Sequence, residues 1–112
     1  MMNISFIGAG NIASAIIGGI TKENFIKKEN IFIYDVSEAV CEKYKKDGFN
    51  VASDMAEVLS EGDVIFLTVK PQFYGSVLEK MGDIKNKTIV TVAPGITISK
   101  VKSYLDSSNS VI

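Results

Sequence analysis

The sequence predicts an α/β protein with a doubly wound, mainly parallel sheet and helices on both faces. Three observations predict it: short apolar runs alternate with segments of helical period, the runs lack the polar alternate of a half-exposed strand, and no repeat, low-complexity stretch or linker interrupts the series. Strands that are apolar on both sides belong to parallel sheets, whose crossover helices cover both faces.

Residues 3–7 (NISFI), 31–34 (IFIY), 64–69 (VIFLTV) and 88–93 (TIVTVA) are rich in β-branched or aromatic side chains and are bounded by Gly, Asp, Pro or Asn. Each is expected as a strand. Residues 50–52 add a shorter one, followed by a small helix capped by Asp54, with Glu57 placed as in a capping box. Ile12, Ala13, Ile16, Ile17 and Ile20 form the apolar stripe of a first helix starting near Asn11. Val40, Cys41 and Tyr44 mark a second after Ser37, and Tyr74, Val77, Leu78 and Met81 mark another whose first turn suits Pro71. Ile98, Val101 and Leu105 mark the last, with Thr97 as its N-cap. Right-handed crossovers through this series give the expected strand order 3-2-1-4-5-6. Ser110-Val111-Ile112 reads as the opening of a sixth strand, and further chain is expected beyond it.

One core is expected for 112 residues of 46% hydrophobic content. Lys and Arg total 12 against 13 Asp and Glu, a balance that offers nothing to a polyanion, so neither nucleic acid nor an anionic membrane is expected as a partner. A lone Cys41 has no internal disulfide partner, and the absence of His removes the commonest zinc ligand and general base. No metal site is expected. No apolar run approaches the roughly 20 residues that span a bilayer, and the N-terminus does not read as a signal peptide. The expected location is cytoplasmic.

Gly8-Ala9-Gly10-Asn11-Ile12-Ala13 matches G-x-G-x-x-A at the junction of the first strand and first helix, the position at which that motif binds dinucleotides. Gly8 permits the sharp turn, Gly10 leaves room for a pyrophosphate against the backbone, and Ala13 keeps the helix close to the sheet. The helix head supplies free N–H groups and partial positive charge. Asp35 ends the second strand 22 residues after Ala13, near the about 20 expected of the acid that bonds the adenosine ribose. These features make the expected fold Rossmann-type and the expected ligand NADH or NADPH.

A 2′-phosphate about 4 Å from Asp35 would meet repulsion of order 4 kcal/mol at an effective dielectric of about 20, reduced by solvent. No Arg follows, although Ser37 offers one hydrogen bond, so these residues favour NADH. The alternative for Asp35 is a helix cap only. Gly18 and Gly19 inside the first helix cost up to roughly 1 kcal/mol each against Ala, and close packing against the sheet or a partner domain is the expected compensation. Cys41, Tyr44 and Tyr74 are expected as core side chains.

The strings FIGAGNIASAIIGGI (residues 6–20), TVKPQ (68–72) and TVAPGIT (91–97) resemble the N-terminal dinucleotide-binding domain of pyrroline-5-carboxylate reductase, and they span most of the chain. The resemblance implies that Gly8, Gly10, Asn11 and Ile12 hold the pyrophosphate. It also implies that Val69, Lys70 and Pro71 lie along the cofactor toward the nicotinamide, and that Ala93, Pro94 and Gly95 line the same crevice. On the residues alone, Lys70 reads as a solvated charge before a helix. Ile12 stands where the family often has Met, Pro94 where Ala is usual, and Asp35 where relatives that favour NADPH carry polar or basic residues. The implied reaction is hydride transfer from NADH or NADPH to the C=N bond of 1-pyrroline-5-carboxylate, yielding proline. On this reading residues 1–112 form one dinucleotide-binding domain. A following domain supplies the substrate pocket, the catalytic residues and the contacts of a homo-oligomer, and these 112 residues alone bind cofactor without meaningful turnover.

Two rivals remain from the sequence. A coenzyme F420-dependent NADP reductase or a hydroxyacid dehydrogenase of the 3-hydroxyisobutyrate type shares the glycine-rich start, although the V-K-P string argues against both. A non-catalytic dinucleotide-sensing protein of the same fold is the other.

Overall fold

The computed structural model describes residues 2–92 and 95–112. Its elements run β1 (Ile4–Ile7), α1 (Asn11–Lys22), β2 (Ile31–Tyr34), α2 (Glu38–Lys46), β3 (Asn50–Val51), α3 (Met55–Glu61), β4 (Val64–Leu67), α4 (Tyr74–Glu79), β5 (Thr88–Thr91), α5 (Ile98–Lys102) and β6 (Ser110–Val111). The strands form one parallel sheet in the order β3-β2-β1-β4-β5-β6. This is the expected doubly wound, Rossmann-type arrangement. The chain reverses direction across the sheet between β1 and β4, and such a reversal opens a crevice beyond the strand C-termini.

Burial follows from that order. Every residue of the central strand β1 is buried, and the two core clusters lie on opposite faces of the sheet. One joins Phe6, Ile31 and Ile33 to Ala13 and Ile17 of α1 and Tyr44 of α2. The other joins Ile65, Leu67 and Ile89 to Val58 of α3, Tyr74 and Leu78 of α4 and Val101 of α5. Phe6 and Phe66, paired across β1 and β4, stack with ring centroids 4.8 Å apart.

Local chemistry sets the ends of the helices. Ser37 caps α2 by accepting from the Val40 N–H, Asp54 caps α3 by accepting from Glu57, and Thr97 caps α5 by accepting from Lys100. At the far end of α3, the Lys87 ammonium donates to the carbonyls of Ser60 (3.1 Å) and Gly62 (2.6 Å), answering carbonyls a helix leaves unpaired. Gly62 sits so close to β1 that an added Cβ would lie 2.7 Å from Ser5 Cβ. The Ser5 hydroxyl, fully buried, donates to the Val58 carbonyl at 2.7 Å, which explains a polar residue in the central strand. Near β6, the Ser108 hydroxyl and N–H hold the Asp106 carboxyl below its usual range, fixing the turn that enters the strand.

Several expectations need correction. β4 ends at Leu67, two residues earlier than expected, because its partner β1 ends opposite it at Ile7 and the chain turns away at Gly8. Pro71 opens a 3-10 turn, Pro71–Phe73, that precedes α4 and is not its first turn. Ile12 is half exposed on the solvent side of α1 and does not belong to its core stripe. Cys41 is only partly buried and its thiol lies 3.3 Å from the Asp35 carbonyl. Gly18 and Gly19 are exposed, and an added Cβ at either meets nothing within 4 Å, so packing against the sheet does not explain them. Tyr44 and Tyr74 are core side chains as expected.

Candidate dinucleotide-binding site

The β1–α1 loop is held by groups from two neighbouring strands. Gly8 adopts φ +95, and its N–H donates to the Tyr34 carbonyl at 2.9 Å. A Cβ there would lie 2.8 Å from Val69 N and 2.9 Å from the Thr68 carbonyl carbon and oxygen. No side chain fits, so glycine is required on both conformational and steric grounds. The next N–H, that of Ala9, donates to Asp35 Oδ2 at 2.8 Å.

Gly10 presents the opposite case. Its φ of −79 suits any residue, and an added Cβ would meet no protein atom within 4 Å. The protein itself therefore does not require glycine at this position; an occupant of the open space would. Gly10 is also the N-cap of α1, which has no side-chain cap and no acidic residue in its first turn. The leading N–H groups and the positive end of the helix are left for an anion.

Asp35 follows β2 and faces this loop. Its Oδ1 accepts from the Ser37 N–H at 2.8 Å while Oδ2 takes Ala9. Ser37, not Asp35, caps α2. Each carboxylate oxygen has capacity for a further donor such as a ribose hydroxyl.

A cleft of about 360 Å³ opens beside the loop. Gly8, Gly10, Asp35, Val69 and Lys70 line it, so the structure brings these five sequence-selected residues together. Asn11 and Ile12 are exposed at the head of α1, and Ser37 and Pro71 flank the cleft in sequence without lining it. Gly95 is exposed with φ +82, whereas Ala93 and Pro94 lie outside the described residues. Sequence reasoning missed further lining residues: Met55 of α3, Ser76 and Val77 of α4, and Phe73 and Lys80, which flank that helix. Of these only Val77 belongs to the apolar stripe that the sequence displays, and the others carry no pattern that marks them. Two cations, Lys70 and Lys80, and one carboxylate, Asp35, border the cleft. An apolar slot beside uncapped helix N–H groups and net positive charge fits an adenosine diphosphate moiety.

A family model described as NADP oxidoreductase, coenzyme F420-dependent, matches residues 3–95. The chain belongs to that family. Over its whole length it is similar to pyrroline-5-carboxylate reductases, matching their N-terminal part. The protein of that name from Methanosarcina acetivorans is 33% identical over 97% of this chain and 42% of its own length. Pyrroline-5-carboxylate reductase 3 from Danio rerio is 34% identical over 99% of this chain and 39% of its own. The crystal structure of Plasmodium falciparum pyrroline carboxylate reductase with NADP bound superposes with a TM-score of 0.81 at 32% identity, covering 98% of this chain and 40% of that one. The chain thus spans less than half the length of the relatives it matches. The family description names the F420-dependent rival, yet the alignments that extend beyond residue 95 reach reductases of the pyrroline type.

Proposed function

We propose that residues 1–112 form the dinucleotide-binding domain of an NAD(P)H-dependent oxidoreductase that reduces 1-pyrroline-5-carboxylate to proline. The observation that carries the binding half of this reading is Gly10, a glycine no protein contact requires, at the uncapped head of a twelve-residue helix. The likeness to pyrroline-5-carboxylate reductases over 97% and 99% of the chain supports the reaction.

In this reading the backbone of Gly8, Gly10, Asn11 and Ile12 takes the diphosphate, and Asp35 with Ser37 takes the adenosine ribose. Val69, Lys70 and Pro71 continue toward the nicotinamide, and Ala93, Pro94 and Gly95 complete that end of the crevice. When bound, the reduced nicotinamide supplies the hydride. The chain orients it: loop and helix head fix the diphosphate, and apolar Met55, Phe73 and Val77 exclude water from the adenosine end. The charge of Asp35 favours NADH over NADPH. Catalytic side chains and the contacts of a homo-oligomer are assigned to the remainder of the longer relatives, and the protein to the cytoplasm.

The test is a fluorescence titration of the protein with NADH and NADPH, followed by an assay of proline formation from 1-pyrroline-5-carboxylate with the full-length polypeptide. Micromolar binding and turnover are expected. No binding of either nucleotide rejects the domain assignment, whereas binding without turnover favours the sensing protein. Turnover of coenzyme F420 in place of the imine favours the reductase of the family description.

A further inference from the structure

We propose that Thr68 is a positioning residue that locks the Gly8–Ala9 peptide plane, so that the diphosphate loop is shaped before any ligand arrives. The proposal rests on the dinucleotide reading of the cleft and adds to it a residue from the apolar run of β4. The Thr68 N–H extends the ladder by one bond, donating to the Ile7 carbonyl at 3.0 Å. Its hydroxyl then lies 2.5 Å from the Gly8 oxygen and 3.2 Å from the Ile7 oxygen. A hydroxyl has a single proton to donate, and the shorter distance assigns it mainly to Gly8.

The Gly8 carbonyl and the Ala9 N–H belong to one peptide unit. Thr68 holds its oxygen, and Asp35 holds its N–H at 2.8 Å. The two braces stand just beyond the ends of β4 and β2, the strands on either side of β1. Rotating this peptide unit changes ψ of Gly8 together with φ of Ala9, and a glycine at the first of these positions lifts the steric limit that a Cβ would place on ψ. Rotation of this one would exchange the two groups, break both bonds and displace Gly10 and the leading N–H groups of α1. The loop would then have to be ordered at the cost of binding energy. Because the lock acts on the part of the site that serves the diphosphate, it affects NADH and NADPH alike, unlike a contact to the 2′ position.

The experiment compares the intact chain with Thr68→Val, which keeps the shape and loses the hydroxyl, Thr68→Ala, which loses it without branching, and Thr68→Ser, which keeps it. NADH and NADPH dissociation constants are measured, together with hydrogen exchange of the Ala9 amide in the ligand-free protein. Thr68→Val and Thr68→Ala are expected to weaken both nucleotides by a similar factor, about five- to tenfold for one lost hydrogen bond. Thr68→Ser restores both to within about twofold. The Ala9 amide exchanges faster in Val and Ala variants while Ile65 and Ile89 amides keep their protection. Unchanged Ala9 exchange, unchanged affinity, or a loss confined to one nucleotide overturns the proposal. If the unmodified chain binds neither nucleotide, the functional reading fails, and the exchange measurement still judges the lock by itself.

Discussion

At the scale of the residue, the two glycines of the motif separate what the fold needs from what a ligand needs. Gly8 stands at φ +95 with backbone atoms of Thr68 and Val69 within 2.9 Å of where a Cβ would be. A left-handed conformation costs an L-residue about 1–2 kcal/mol, and overlap in a packed site costs about 1–3 kcal/mol. Gly8→Ala is therefore expected to lower unfolding stability by about 3 kcal/mol, read as a fall in urea midpoint. Gly10→Ala meets no atom and keeps an ordinary φ, so the entropy gain and the poorer N-cap offset one another and stability should change by no more than about 1 kcal/mol. Its affinity for nucleotide should nevertheless drop at least about tenfold, as the methyl group occupies the space the phosphate needs. Equal affinity in Gly10→Ala and the unmodified protein would remove the main support for the cradle. Asp35 mixes the two roles. Asp35→Asn turns one amide donor toward the N–H of Ala9 or Ser37, which should cost about 1–2 kcal/mol of stability even without ligand. The sequence made Gly8, Gly10 and Asp35 legible through spacing alone. It concealed Thr68 because a hydroxyl that completes a neighbouring turn is indistinguishable, in a run such as VIFLTV, from a β-branched strand residue.

At the scale of the element, short continuous apolar runs located the main strands and stripes of period 3.6 located the helices, because these elements bury apolar side chains that their own sequence displays. Ends were less legible where a neighbouring segment, not the local pattern, decides them. β4 stops where its partner β1 turns away at Gly8, and the Pro71 turn intervenes before α4 because proline starts a helix but does not set its pitch. The α1 helix poses the remaining question. Gly18 and Gly19 lie on its exposed side with open space where a Cβ would project. Nothing within the described residues compensates the cost of glycine in a helix interior, so Gly18→Ala and Gly19→Ala should each stabilise the protein by up to about 1 kcal/mol. Thermal unfolding of the two variants and their double measures this, and the gains should add only partly because the sites are adjacent. A loss of stability in either variant would mean that the helix backbone makes a close contact there.

At the scale of the molecule, the crevice lies where the order of strands reverses, between core clusters on opposite faces of one sheet. Sequence spacing could place the glycine loop and Asp35 on that crevice, since both sit at strand ends. It could not place Met55 or the inner edge of α4 there, because they join the site only through the packing of α3 and α4 on the second face. Binding at such a position draws on β1, β2 and β4 together, so occupancy should stabilise the whole cooperative unit. A ligand at a hundred times its dissociation constant stabilises the folded state by about 2.7 kcal/mol. For a chain of 112 residues, with an unfolding entropy of about 2.1 cal/mol/K per residue, that raises Tm by on the order of 10 °C. In the proposed reading most of the cleft's contacts serve the diphosphate and the adenosine, so ADP should retain much of the shift given by NADH or NADPH. Nicotinamide mononucleotide at the same concentration should give little, because it lacks the adenosine ribose that the proposal assigns to Asp35 and the second phosphate of the bridge. A scan in which the mononucleotide shifts Tm as far as ADP would relocate the binding energy to the nicotinamide end and away from the glycine loop.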